Sequence, residues 1–133
     1  SPWSHRHVAY AAGLGTFGMH DFLITEKGAA HRITSFVVNV RLRPNHTRPE
    51  DIHAHCLHYQ GRECMACARR CPAQAISVAG GHDKEACAER CKRSVPYVNR
   101  NYHIFIYGCG LCSTGVPCAT GIPSALSRED DTR

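Results

Sequence analysis

The chain has 133 residues, 43% of them hydrophobic, a formal net charge of +5 and nine cysteines. This length supports one modest core that buries roughly two thirds of the unfolded surface, and it excludes an enclosed active-site vault built by this chain alone. No apolar run approaches the roughly 18 residues that span a bilayer. The stretch from Ser1 to Gly15 lacks the apolar centre of a secretory signal, and the odd cysteine count opposes a closed disulfide framework. A soluble chain in a reducing, cytoplasmic compartment is expected.

In chain order, Ser4 is placed to cap a short helix running to Ala12, with Val8, Ala11 and Ala12 on one side and Gly13 and Gly15 ending it. Phe22 to Thr25 and Arg32 to Val40 concentrate β-branched and aromatic residues around a Glu26-Lys27-Gly28 turn, which predicts a hairpin. Arg41 to His55, with Pro44 and Pro49, reads as a surface connection and a subdomain boundary. Asp83 is the cap of a predicted helix through Lys92, which sets Cys87 and Cys91 one turn apart. Tyr102 to Tyr107 is apolar enough for a buried strand or extended segment, and the polar tail from Ser127 is expected to fray.

The cysteines dominate the composition. They fall into two sets: Cys56, Cys64, Cys67 and Cys71 followed by Pro72; then Cys87, Cys91, Cys109, Cys112 and Cys118. A [4Fe–4S] cube needs four thiolates converging from different directions. A C-x2-C loop supplies two while its backbone N–H groups face the sulfides, and the others come from further along the chain. In bacterial two-cluster ferredoxins the cysteine of the CysPro step binds the other cube. That rule assigns cluster A to Cys56, Cys64, Cys67 and Cys118, and cluster B to Cys71, Cys87, Cys109 and Cys112, although the gap between Cys56 and Cys64 is longer than in the usual run. Cys91 is left as an alternative to Cys87 or as a small packed hydrophobe.

Zinc on Cys64, Cys67, Cys109 and Cys112 is a competing reading, but its spacing far exceeds a zinc ribbon and five cysteines are stranded. A Rieske centre requires two Cys-x-His arms, and Cys56-Leu57-His58 is one. His46, His53, His55 and His58 read as solvated loop residues without a role. Arg69, Arg70, Lys92 and Arg93 read as a solvated basic surface able to raise a cluster's potential or dock an acidic partner. Thiolate ligation also revises the charge: two 2+ cubes, each on four thiolates, bring the formal +5 down to about +1. The basic balance is therefore a weak argument for a nucleic-acid partner.

The order GLGTFG, hairpin, CMACARRCP, isolated Cys87 and YGCGLCSTGVPC resembles, over most of the chain, the C-terminal part of epoxyqueuosine reductase and its corrinoid-dependent relatives, the reductive dehalogenases. The resemblance implies an α+β fold in which a bacterial-ferredoxin-like two-[4Fe–4S] module follows a helix and hairpin from the end of a nitroreductase-like domain. Residues 1–50 would be the remnant of that corrinoid-type domain and residues 51–133 the two-cluster ferredoxin-type domain. It further implies a corrinoid in the full-length protein, nearer cluster B, whose cobalt receives the electrons. The implied partners are a redox protein or an upstream nitroreductase-like domain, with tRNA as a substrate by resemblance alone and no membrane. No catalytic residue is assigned to this chain, because the family's acidic proton donor would align just before Ser1. The chain departs from the epoxyqueuosine reductases, which carry a GLGWIGKN-like run where Gly13 to His20 stand and a shorter gap than that between Cys112 and Cys118. The alternative function is a cluster-stapled structural module, or one binding RNA or protein, without redox turnover.

Overall fold

A computed structural model describes residues 3–127. The first helix, α1 (His5–Ala11), follows Ser4, whose hydroxyl meets the His7 ring nitrogen Nδ1 at 2.8 Å instead of capping a backbone N–H. It stops as expected at Gly13. There a φ of +76° lets the Gly13 N–H donate to the Tyr10 carbonyl at 2.9 Å and the Leu14 N–H to the Ala9 carbonyl at 3.0 Å. This Schellman pair satisfies acceptors that the last turn would leave open. The helix buries Ala9 against Phe17 and Leu23, with Tyr10 and Ile33 alongside. Val8, Ala11 and Ala12 are exposed.

Strands β1 (Thr16–Phe17) and β2 (Leu23–Ile24) pair antiparallel, Thr16 opposite Ile24 and Phe17 opposite Leu23. This is a different hairpin from the expected one. Phe22 to Thr25 does contain a strand, and Thr25 and Gly28 do close a turn with reciprocal bonds of 3.1 and 2.8 Å. Arg32 to Val40, however, forms no strand, and Phe36 and Val37 are 83% and 84% exposed. The physical reason is competition for backbone partners. Beyond the turn, the N–H groups of Ala29 and Ala30 donate to the carbonyls of Cys118 and Ala119 at 2.8 and 3.0 Å, which carries the chain away from β2. A β-rich composition becomes a strand only where an edge is within reach.

The cysteine-rich half contains α2 (Ala66–Arg70), a second antiparallel pair β3 (Ile76–Ser77) and β4 (Gly81–His82), then α3 (Lys84–Lys92), α4 (Val95–Tyr102) and α5 (Ser124–Ser127). Helix α3 begins where expected, with the Asp83 carboxylate accepting from the N–H groups of Glu85 and Ala86 at 2.9 and 3.0 Å. Helix α4 was not anticipated. Pro96 sits in its first turn, where a missing N–H costs nothing. Tyr102 ends this helix and residues 104–107 are irregular and exposed, Phe105 to 86%, so the expected buried strand is absent. The tail beyond Ser127 lies outside the described residues. Among the described residues no helix is long and apolar enough to cross a membrane.

The fold is thus a small α+β arrangement with two two-stranded sheets. One core group joins Met19, Ile24 and Ala29 of the N-terminal half to Cys56, Cys67 and Ile76, with Cys71, Cys112 and Cys118 packed against it. Gly28 makes that junction possible. At its φ of +88° a Cβ would lie 2.3 Å from the Ala119 carbonyl oxygen and 2.5 Å from the Gly121 nitrogen. Gly28→Ala is expected to cost about 2 kcal/mol or more, read as a lowered thermal midpoint by circular dichroism, whereas Gly61→Ala, with open space around it but a φ of +70°, is expected to cost less.

Candidate metal centres

The approach to Cys56 is built by the first hairpin. The Phe17 N–H donates to the Ile52 carbonyl at 2.7 Å, and the His55 N–H to the Thr16 hydroxyl at 2.8 Å. The rings of His53 and His55 turn back and donate from Nδ1 to the carbonyls of Phe17 and Ile24 at 2.8 and 2.9 Å. These two histidines, expected to be solvated, are half-buried clamps. The alternation His53-Ala54-His55 directly before a cysteine was the signal available in the sequence. It was ambiguous because the hairpin carbonyls they meet are some thirty residues away.

Beyond Cys56, α2 carries Cys67 in its first turn and ends at Cys71, whose backbone is extended. The Cys71 sulfur accepts the Ala75 N–H at 3.3 Å, and the Arg70 guanidinium reaches across to the Leu111 carbonyl at 3.0 Å. Arg70 therefore ties the two cysteine arms together. Helix α3 carries Cys87 and Cys91, both half-buried, and the exposed segment after α4 leads into Cys109 and Cys112. All nine cysteines are free thiols.

Two cavities divide these sulfurs. The first, about 20 Å³, is lined by Cys56, Cys64, Cys67 and Cys118, together with Met19, His20 and Ile24 of the hairpin. The second, about 1200 Å³, is lined by Cys71, Cys87, Cys91, Cys109 and Cys112. Cys71 is separated from Cys64 and Cys67 despite its closeness in sequence, and Cys118 joins them despite its distance. Cys91 shares the second cavity, so five thiols surround it.

The electrostatics follow the same division. The Cys118 thiol is pushed up to about 12, chiefly by burial and then by Cys56, Cys67 and Cys64. Cys112 is likewise lifted to about 12, chiefly by burial and then by Cys109, Cys71 and Cys87. Cys67 rises to about 11, chiefly through burial and then through Cys56 and Cys64, against a backbone N–H that favours its thiolate. The Cys87 thiol is also raised, by burial first and then by Cys91, Cys71 and Cys109. Thiolates crowded into a poorly solvated space repel one another unless a positive core lies among them. Among the described residues no three of His, Cys, Asp or Glu are gathered closely enough to hold one metal ion.

His20 is the residue that reasoning from the sequence overlooked. It is almost fully buried, and burial lowers its ring to about 4, so it is neutral. Its Nε2 lies 3.4 Å from the Cys118 sulfur.

Similarity to characterised proteins bears on this arrangement. The chain is 34% identical over 118 residues to a tetrachloroethene reductive dehalogenase of Desulfitobacterium hafniense, and equally to one of Dehalobacter restrictus. Its similarity is to one segment of these reductive dehalogenases. The match takes in 84% of this chain and 20% of each dehalogenase, so the chain spans about a fifth of the length of these relatives. No protein-family model and no solved structure matches it.

The raised thiols set a sign for the metal-free protein. Cys67, Cys112 and Cys118 hold their protons to about 11 or 12 when folded, against an ordinary value of 9.0. Their contribution to stability is therefore present below about pH 9 and lost as pH rises toward 12. Thermal unfolding of the metal-free chain, followed by circular dichroism across that window, is expected to show a falling midpoint.

Proposed function

We propose that the chain is an electron-transfer module holding two [4Fe–4S] clusters, one on Cys56, Cys64, Cys67 and Cys118 and one on Cys71, Cys87, Cys109 and Cys112, and serving a corrinoid-type reductive dehalogenase. The observation that carries this reading is the division of the cysteines between two cavities, with Cys71 and Cys118 each lining the one more distant in sequence. A zinc ion on Cys64, Cys67, Cys109 and Cys112 would have to draw sulfurs from both cavities to about 2.3 Å from one point. The donor set is also the soft, all-sulfur one that iron–sulfur clusters take.

Bound clusters supply one-electron redox chemistry. The chain's own residues hold the thiolates in a poorly solvated core, exclude water with Met19, Ile24 and Ile76, and aim N–H donors such as that of Ala75 at the sulfurs. Cys91, on the lining of the second cavity, is a spare thiol beside Cys87 in this scheme.

Residues 1–50 belong, in this reading, to the end of a nitroreductase-like corrinoid domain and residues 51–133 to the ferredoxin-type domain. That boundary is one of ancestry and not of packing, because the hairpin lines the first cavity. The electrons pass to a corrinoid in that upstream domain. The names of the relatives favour an organohalide as the final acceptor over the tRNA-borne epoxide of the epoxyqueuosine branch. Nine unpaired thiols suit a reducing compartment such as the cytoplasm.

Anaerobically isolated protein is expected to contain about eight iron and eight sulfide per chain, with a brown colour that dithionite bleaches reversibly. Pairwise substitution tests the interleaving. Cys71→Ala with Cys109→Ala should leave about four iron, whereas Cys71→Ala with Cys64→Ala should leave almost none. Zinc in place of iron, or the reverse pattern of iron loss, overturns the assignment.

A further inference from the structure

His20 is 1% exposed and forms part of the wall of the cavity that Cys118 lines. It lies in the loop joining β1 to β2, which folds tightly: the Gly18 N–H donates to the Phe22 carbonyl at 3.0 Å, and the Asp21 N–H to the Gly18 carbonyl at 2.9 Å. The ring has little freedom. The Phe22 N–H donates to its Nδ1 at 3.1 Å, the Phe22 ring packs edge-on with centroids 5.6 Å apart, and a Cβ on Gly18 would come within 2.5 Å of its Cε1. A ring nitrogen that accepts an N–H must present its lone pair, so the imidazole proton resides on Nε2. That nitrogen is the one 3.4 Å from the Cys118 sulfur.

We propose that His20 is a positioning residue that donates its Nε2–H to the Cys118 sulfur and thereby raises the reduction potential of the cluster on Cys56, Cys64, Cys67 and Cys118. This role rests on the cluster assignment proposed above. Reduction adds one electron to the cube, taking its core from 2+ to 1+; dithionite is the electron source in a titration, and no bond forms or breaks. Part of the added charge resides on the ligand sulfurs, so a donor that withdraws density from one of them favours the reduced form. The donor is fixed in advance by Phe22 and Gly18, so it is in place before the charge arrives.

The test compares His20→Phe and His20→Gln with the parent in the iron-loaded protein, each first checked for iron and sulfide content. In His20→Phe the midpoint of the first cluster should fall, with about a tenfold loss in the equilibrium constant for reduction, or about 59 mV for one electron. The second cluster, which His20 does not touch, serves as the internal reference and should not move. His20→Gln, which offers an N–H at a similar reach, should recover most of the shift. A full complement of both clusters with an unmoved first midpoint in His20→Phe overturns the proposal. A parent protein that lacks iron on Cys118 overturns the cluster assignment itself, and the metal content reports that separately. If the substituted chains do not load, the protein labelled with 15N-histidine and carrying His58→Gln, which removes the other imidazole lining this cavity, decides the matter. Pulsed EPR of its reduced first cluster should detect one histidine nitrogen, and absence of that coupling overturns the proposal.

Discussion

Everything else in this chain is arranged around sulfur placed where a larger protein would place leucine. The principal core group contains one large branched side chain from the hairpin, Ile24, one from the cysteine half, Ile76, and otherwise Met19, Ala29 and cysteines. Small hydrophobes of this kind bury little area each. A core of thiols alone is therefore thin, and the raised Cys67, Cys112 and Cys118 show that it is a poor host for negative charge unless a positive partner lies within it. Under the proposed cluster reading, stability and metal binding are two descriptions of the same contacts.

The first hairpin supplies rigidity where thiols cannot. Its backbone is bound to residues 52–55 through Phe17, Thr16 and the two histidine rings, and the turn after it is bound to Cys118 and Ala119. Two cysteines far apart in sequence, Cys56 and Cys118, are thus fixed against one short piece of sheet. The loop of that same hairpin carries His20 to the wall of the cavity the two cysteines line. A structural brace and a polar contact to sulfur come from the same hairpin, the brace from Thr16, Phe17 and Ile24 in its strands and the contact from the tight return between Gly18 and Phe22.

Local signals in the sequence were read well and partner choice was read badly. Gly13 as a helix stop, Asp83 as a cap and the turn at Thr25 to Gly28 each depend on a few neighbouring residues, and each is present. Apart from Ser4, whose hydroxyl turns to nearby His7 instead of capping, the failures are cases in which a residue's fate is set elsewhere. Arg32 to Val40 has strand composition, but the backbone before it pairs with Cys118 and Ala119. Ile104 to Tyr107 has core composition, but no element among the described residues covers it. His53 and His55 look like any surface histidines until the carbonyls of Phe17 and Ile24 come beside them. The expected grouping of the cysteines came from their spacing together with the CysPro rule of two-cluster ferredoxins, signals that lie within the sequence. His20 had no such signal, since nothing adjacent to it in the sequence mentions Cys118.

The exchange of one cysteine from each arm has a consequence for how such a chain can be divided. With Cys118 on the cavity of the first arm and Cys71 on that of the second, the proposed two-cluster assignment means that no single cut after Cys71 and before Cys109 yields two self-sufficient halves, since each fragment would carry away a sulfur that the other's centre requires. A nick by a protease in the exposed stretch around Phe105 would be tolerated only while the pieces stayed associated. The unit of inheritance, and of any attempt to transplant it onto another enzyme, is the entire intertwined pair.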